Sequence, residues 1–235
     1  MYHGYENGFW TLGRQTLLDP VRWAADGWFS ARGGDLSQPI RKPGASAGVK
    51  HGAALSSDFA TGALGAGWGF YDPGADDAHR VRFEGGALVL RAKGAEPHDS
   101  SPLTFIAGDP AYRVEADLEV DGESRAGLLL FYNRRLYCGL AFDDQHLVLH
   151  RYGLERSSRK PAGMGRRLRV RIENDRHIVS LRTSVDGKSW TKYFVQMEVS
   201  GYHHNVAGDF LSLRPAVYAA GRGEVRIRSV RYEAL

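Results

Sequence analysis

The chain has one cysteine in 235 residues, Cys138. No disulfide within the chain can form, and its apolar setting, LYCGLAF, reads as a buried thiol. Long hydrophobic runs are also missing: no window approaches the ~18 consecutive apolar residues of a membrane-spanning helix. The N-terminus lacks the charged-then-apolar order of a signal peptide, but that absence says little if Met1 is not the natural start. The compartment, cytoplasmic or periplasmic/secreted, therefore stays open. There is no glycine-rich phosphate loop, no G-x-S-x-G elbow and no metal-ligand helix, so the usual markers of nucleotide, esterase and zinc chemistry are lacking. Charge of one sign is never massed: 31 Lys and Arg stand against 27 Asp and Glu, net +4, interleaved with apolar residues. Such interleaving suits a solvated strand surface rather than a nucleic-acid cleft.

What is present is punctuation and alternation. Twenty-nine glycines and 43% hydrophobic residues describe a globular chain of many short strands joined by tight turns. The opening YHGYENGFWTLGRQTLLDP reads as a hairpin with Asn7-Gly8 at its tip and Arg14 on the returning strand. Turn signals at Asp19-Pro20 and Asp26-Gly27 extend it to a three- or four-strand meander, the size of one propeller blade, which lacks a second sheet to bury itself against. Residues 38–52 (QPIRKPGASAGVKHG) have linker composition. The reading is thus a blade-like unit over 1–37, a linker over 38–52 and a large β domain over 53–235. In the last, VRF, ALVLRA, YRVEADLEV, AGLLLFY, LYCGLAF, HLVLHRY, RLRVRIE, HIVSLRTS, TKYFVQM, FLSLRP and EVRIRSVRYEAL alternate between turns. That pattern predicts an all-β, antiparallel two-sheet jelly-roll sandwich, ending in a paired strand.

Four stretches carry candidate chemistry. In Glu115-Ala-Asp117-Leu-Glu119 the three carboxylates share one strand face, as a retaining glycosidase needs if two of them are to stand about 5–5.5 Å apart. The pentad resembles the E-x-D-x-E strand of jelly-roll endoglucanases of glycoside hydrolase family 16, a resemblance that stops there. A half-exposed strand with Val114, Ala116, Leu118 and Val120 inward shows the same alternation. SVDGKSW, Ser184 to Trp190, is one residue short of a sialidase-type Asp-box and reads as a hairpin turn at Asp186-Gly187. Tyr202-His203-His204-Asn205 lacks a third metal ligand and reads as a solvated loop. RRLRVRI sets Arg167, Arg169 and Arg171 on one face, without the interleaved aromatics of nucleic-acid recognition.

The stretch YHGYENGFWTLGRQTLLDPVRW with DGWF closely resembles the last propeller blade of glycoside hydrolase family 43 β-xylosidases and arabinofuranosidases. SDFATGALGAGWGFY, SSPLTF, AGLLLFYN and the closing FLSLRPAVYAAGRGEVRIRSVRYEAL resemble the concanavalin-like sandwich appended to the same enzymes. The resemblance implies an inverting glycosidase in which an aspartate is the base, a glutamate the acid and a second aspartate tunes the acid. All three would lie upstream of this chain, so no catalytic residue is assigned and the chain alone is expected to be inactive. Glu6, Asp19 and Asp26 match turn positions instead. Arg14, in L-G-R-Q, is similar to the arginine that reaches the propeller's pocket and hydrogen-bonds sugar hydroxyls; pairing within the blade is the structural alternative. Phe210 is the offered aromatic by which the sandwich shortens that pocket, with His203 and His204 beside it. Core packing is the other reading for Phe210, and Asp209 stands where a smaller residue is expected.

The implied partners are a xylo- or arabino-oligosaccharide and the missing blades or a partner chain, with no nucleic acid and no membrane. A homo-oligomer is compatible. No cofactor or metal is implied; calcium is compatible with the fold but not indicated. Two other functions stay open. One is a lectin-like binding module, although Trp68, Tyr71, Tyr132 and Tyr152 form no evident row. The other is an independent endoglycanase using Glu115 and Glu119. Xylosidase and arabinofuranosidase are not separable here. The first 40 or so residues are expected to pack as a small sheet outside the sandwich core, leaving an apolar flank.

Overall fold

The computed structural model describes residues 2–31, 33 and 55–235. The proposed linker, 38–52, lies outside them. The opening unit forms two separate hairpins: β1 (Tyr2–Tyr5) pairs with β2 (Arg14–Leu17), and β3 (Val21–Trp23) pairs with β4 (Phe29–Ala31). The expected single meander is therefore divided, since β2 and β3 belong to different two-stranded sheets. Asn7-Gly8 does turn the first hairpin, with Gly8 at φ 77°. The return strand, however, begins only at Arg14, because Trp10–Leu12 form a short 3-10 turn that buries Thr11 and Leu12.

The rest is a sandwich of two antiparallel seven-stranded sheets. The strands are β5 (Trp68–Phe70), β6 (Val81–Glu84), β7 (Ala87–Arg91), β8 (Leu103–Phe105), β9 (Ala111–Val120), β10 (Ser124–Phe131), β11 (Tyr137–Phe142), β12 (His146–Arg151), β13 (Leu154–Arg159), β14 (Arg167–Asp175), β15 (Ile178–Ser184), β16 (Thr191–Glu198), β17 (Arg214–Gly221) and β18 (Glu224–Ala234). One sheet runs β16-β15-β14-β9-β18-β7-β6 and the other β13-β12-β11-β10-β17-β8-β5. Closing strand β18 lies between β9 and β7, so the chain ends in a paired, interior strand. The stretch FLSLRP is not a strand: Phe210 to Leu213 form a loop, and pairing starts at Arg214. The exposed edge strand LERSSR (β13) has no apolar alternation to announce it.

Period-2 patterning builds the core. Val114, Ala116, Leu118 and Val120 of β9 and Leu168, Val170 and Ile172 of β14 face Leu128, Leu130, Leu140 and Phe142 of the other sheet, all at 2% exposure or less. The reverse face of β9 and β14 is an ion-pair ladder, described below. The second sheet behaves differently, since its outer face is buried too. Leu129, Phe131, Tyr137, Ala141, Val148, Ala216, Tyr218 and Ala220 form a second apolar cluster there. Tyr71 stands edge-on to Phe131 at 5.0 Å. The connection from β7 to β8 runs along the β17 edge, with Lys93 N donating to Ala219 O and Gly221 N to Gly94 O. Burial, aided by Glu96, Glu155 and Asp99, pushes the Tyr137 phenol up to about 12. Within this layer His150 shares a 2.8 Å hydrogen bond with the Tyr218 hydroxyl, and burial holds it neutral by lowering its pKa to about 3. Cys138 is fully buried, as expected, and its thiol is pushed up to about 12.

The first hairpin docks on one end of this sandwich. Leu213 N donates to Thr11 O at 2.7 Å, Thr11 Oγ1 is hydrogen-bonded to His177 Nε2 at 3.0 Å, and the Phe9 ring lies 5.0 Å from His177. The second hairpin stays outside the core and exposes Val21, Trp23, Trp28 and Phe29, with Leu18 of the preceding connection exposed beside them and both tryptophans at least 68% exposed. This is the expected apolar flank.

Two predictions follow from these layers. Gly127 leaves room for Tyr218 to lie across the sheet, and a Cβ there would run into its ring and Ala141. Gly127→Val should therefore cost about 1–3 kcal/mol by overpacking, measured as a lower urea midpoint at unchanged slope; an unchanged midpoint contradicts the packing. The second concerns pH. His177 and His150 both have folded pKa values below the ordinary 6.5. Burial is the main cause for each, eased by Glu198 for His177 and reinforced by Arg125 for His150. The unfolded chain therefore takes up more protons below pH 6.5, so stability is full above that pH and falls as pH drops through it. The melting temperature should fall by roughly 4 °C or more between pH 7.5 and 5. His177→Asn, which tolerates the residue's φ of 79°, should reduce that fall, whereas a flat wild-type profile contradicts it.

Candidate functional site

Where the first hairpin meets the sandwich, four sequence-nominated residues come together. Gly13, at φ 72°, lets the chain pass against Leu211 and Ser212; a Cβ would sit 3.1 Å from Leu211 O. Arg14 then starts β2 and extends over the Phe210 ring, with its guanidinium carbon 3.9 Å from the ring centroid. That is close cation–π geometry. Arg14 Nε donates to Tyr5 Oη at 3.3 Å, Tyr5 stacks on His204 at 4.9 Å, and His204 lies 5.3 Å from Phe210. Trp10 closes the cluster, edge-on to His203 at 5.1 Å and 5.8 Å from His204. Among the described residues Arg14 makes no ion pair, so the alternative of pairing within the opening unit reduces there to the Tyr5 hydroxyl.

Phe210 is 65% exposed, which rules out core packing as its role. Its position is set by backbone instead. The short helix α1 (His204–Ala207) has its N-cap at His203, whose Nδ1 accepts from Asn205 N. Gly208 and Asp209 follow with φ of 70° and 58°. The Tyr132 hydroxyl lies 2.9 Å from Gly208 O and 2.8 Å from Asp209 O, and Asn133 Nδ2 donates to Asp209 Oδ2 at 2.9 Å. Arg135 Nη2 also donates to Ala207 O. The β10–β11 turn thus grips the loop that presents Phe210. Asp209, where a smaller residue was expected, is accommodated by this grip in a left-handed conformation that aspartate tolerates better than most residues.

Tyr5, Trp10, Tyr132 and Asn133 were not singled out as site residues from the sequence. Each meets partners far away along the chain, so no local spacing marks them. The doublet Phe9-Trp10 beside a turn is the only signal: two large aromatics in a small unit need something to pack on.

The other candidates resolve as structure. Glu115, Asp117 and Glu119 do share one outward face, but each is held by arginine. Arg171 Nε donates to Glu115 at 2.7 Å, Arg167 and Arg169 donate to Asp117, and Arg228 Nη2 donates to Glu119 at 2.6 Å. A glycosidase acid needs a raised pKa, whereas Asp117, despite burial, is lowered by its arginines. Arg171 also lies over the Trp190 ring at 3.7 Å, so the arginine row is a cross-strand ladder. Asp186 is the turn residue of the β15–β16 hairpin, accepting from Lys188 N and Ser189 N at 2.8 Å each. Among the described residues no group of three metal-ligating side chains occurs. Of the four aromatics weighed for a lectin-like row, Trp68 packs on Phe105 at 4.7 Å, Tyr71 stands edge-on to Phe131 at 5.0 Å, Tyr132 is buried and Tyr152 is exposed, so these four present no shared exposed row.

Comparison with solved structures finds the same fold. BlXynB of Bacillus licheniformis, a family 43 glycoside hydrolase, superposes with a TM-score of 0.77 at 22% identity over 96% of this chain and 48% of its own. Xylan β-1,4-xylosidase from Bacillus halodurans gives 0.74 at 20% identity over 95% of this chain and 48% of its own. A Bacteroides ovatus family 43 protein from a xyloglucan utilisation locus gives 0.76 at 16% identity, again over 48% of its length. At these identities the likeness is one of fold, and the chain spans about half the length of these structures. No curated protein matches it in sequence. The model of the β-xylosidase C-terminal concanavalin A-like domain matches residues 56–233, most of the chain and nearly all of the sandwich. The chain accordingly belongs to the family of β-xylosidase C-terminal concanavalin A-like domains.

Proposed function

We propose that the chain is the C-terminal portion of a family 43-type glycosidase acting on β-xylosides or α-arabinofuranosides, with its catalytic carboxylates on polypeptide outside this chain. The observation that carries the reading is the Arg14–Phe210 stack, 3.9 Å apart, built from the first hairpin on one side and the sandwich on the other. The division into a blade remnant over 1–37, a linker over 38–52 and a sandwich over 53–235 belongs to the same reading.

The chemistry of the stack supports it. A guanidinium lying on an aromatic face keeps its in-plane N–H donors available, and their fork suits adjacent hydroxyl oxygens of a sugar. Phe210 seats that guanidinium and offers an apolar wall that limits the depth of a pocket. His203 and His204 fill the space behind it, with His203 held towards the neutral form by burial and by its histidine neighbours. The inverting reaction itself, which needs a base and an acid about 6.5–9.5 Å apart, is assigned to the absent half. That half would cover the flank of Leu18, Val21, Trp23, Trp28 and Phe29, since an apolar surface of this kind on so small a unit calls for a partner.

The test is direct. The isolated chain should show no turnover of aryl β-xylosides or α-arabinofuranosides, and turnover that survives repurification and inhibitor controls would overturn the reading. Mixed with the upstream half of a family 43 relative cut before its last blade, it should restore hydrolysis. In that mixture Arg14→Ala should lower kcat/KM by about 100-fold, or ~2.7 kcal/mol of transition-state binding. Phe210→Ala should act mainly through KM.

A further inference from the structure

The four strands that end the two large sheets, β5, β6, β13 and β16, are not alike as edges. β5 and β6 have only three and four residues, and β16 loses register with β15 between Ser180 and Arg182. Short length and a bulge are ordinary devices that keep an edge from pairing with another chain. β13 has neither. Its six residues, all exposed, run in unbroken register along β12 from the Arg151–Leu154 pair to the His146–Arg159 pair, with no proline and no positive φ. The lysine that follows is turned back on its own chain, Lys160 Nζ donating to Asp143 O at 2.8 Å and to Gly165 O at 2.7 Å. Among the described residues nothing pairs with the other side of β13.

The pairing also fixes where its free backbone groups point. Lys160 N donates to Gln145 O at 2.8 Å, and hydrogen-bonded pairs alternate along an antiparallel ladder. Leu154, Arg156 and Ser158 therefore turn their amides and carbonyls to β12, whereas those of Glu155, Ser157 and Arg159 point away from the sheet. Glu155 meets Arg125 at 2.8 Å. The Arg159 side chain has no hydrogen-bond or ionic partner among the described residues.

We propose that β13 is a dimerisation edge, pairing antiparallel with β13 of a second copy of this chain about a two-fold axis through Ser157. In that register Ser157 meets Ser157 of the partner subunit, and Glu155 meets Arg159 of the partner subunit. Arg159 meets Glu155 of the partner subunit by the same symmetry. Every outward residue then exchanges backbone hydrogen bonds, and both flanking pairs oppose unlike charges, which stabilises directly facing side chains. Arg156 falls opposite Ser158 of the partner subunit, so no like charges face one another. Other antiparallel registers lose this match. A shift of one residue sets outward groups against inward ones. A shift of two sets Arg159 against Gly153, whose N–H already serves Tyr137 O, or Glu155 against Pro161, which has no N–H. This self-complementarity of charge and backbone names the occupant as a second copy, and it is independent of the glycosidase reading.

The experiment is sedimentation velocity of the 235-residue chain over a concentration series. Two such short edges bury less than a standard interface, so the expected result is a reversible dimer with Kd on the order of 10 μM. Ser157→Pro, which removes the central amide at a position where an edge strand tolerates proline, should weaken it by at least roughly tenfold. Arg159→Glu and Glu155→Arg should each be monomeric alone and should dimerise when mixed. Register is read by cross-linking under a mild oxidant. Residues facing each other in a hydrogen-bonded pair have Cα atoms about 5.5 Å apart, within disulfide range, so Ser157→Cys should cross-link and Arg156→Cys should not. Cys138 is buried and takes no part. A chain that stays monomeric to about 1 mM, a dimer unaffected by the proline and charge variants, or cross-linking no better at 157 than at 156 overturns the proposal. So does a monomer whose Ser157 amide exchanges slowly with deuterium, because another segment of the same chain then covers the edge.

Discussion

Among the described residues one backbone hydrogen bond, Leu213 N to Thr11 O at 2.7 Å, joins the two pieces on which the site depends. On one side is a hairpin too small to hold its own shape, since an isolated two-stranded unit is marginal in water. On the other is the loop between α1 and β17, which the sandwich grips but does not bury. The bond places Gly13 against Leu211 and Ser212, and the next residue, Arg14, then falls over Phe210. Aromatic contacts with His177, His203 and His204 spread the docking over three points, so the hairpin is oriented and not merely attached.

The sandwich supplies rigidity of an unusual kind for an antiparallel sheet. Both faces of the sheet containing β10, β11 and β17 are buried. The turn carrying Tyr132 and Asn133 therefore projects from a strand packed on both sides. That gives the Phe210 loop a firm base although Phe210 itself faces solvent. The opposite sheet spends its outer face on arginine–carboxylate pairs. Most of these are at least partly exposed and so add little individually, but they satisfy the acids that would otherwise resemble a catalytic pair. The same closed outer face keeps Phe131, Tyr137 and Tyr218 from acting as a binding platform on that side.

Much of the sandwich was legible because alternation of apolar and charged residues states which face is inside. Leu118 and Val170 could be placed in the core, and Asp117 and Arg169 outside it, before any contact was known. Two features were not legible. Strand β13, LERSSR, is an exposed edge whose sequence has no buried face to reveal it. Phe210 to Leu213 alternate like a strand but form a loop, because their course is dictated by Thr11, Tyr132 and Asn133, which are distant in sequence. For the site, the L-G-R-Q resemblance named Arg14, and the resemblance over FLSLRP named Phe210. Local pattern could not reveal that they touch, and it was silent about Tyr5, Trp10 and Asn133.

The central claim is that Arg14 is held on the Phe210 ring by docking of the first hairpin. The Arg14 Nε–H resonance of the isolated chain tests it most directly, because a guanidinium centred over an aromatic ring feels a strong upfield ring current. The account predicts an upfield-shifted signal that returns to its ordinary position in Phe210→Ala and in a variant with Thr11 and Trp10 both replaced by glycine. A signal at the ordinary position in the unaltered chain, indifferent to Phe210, would contradict it.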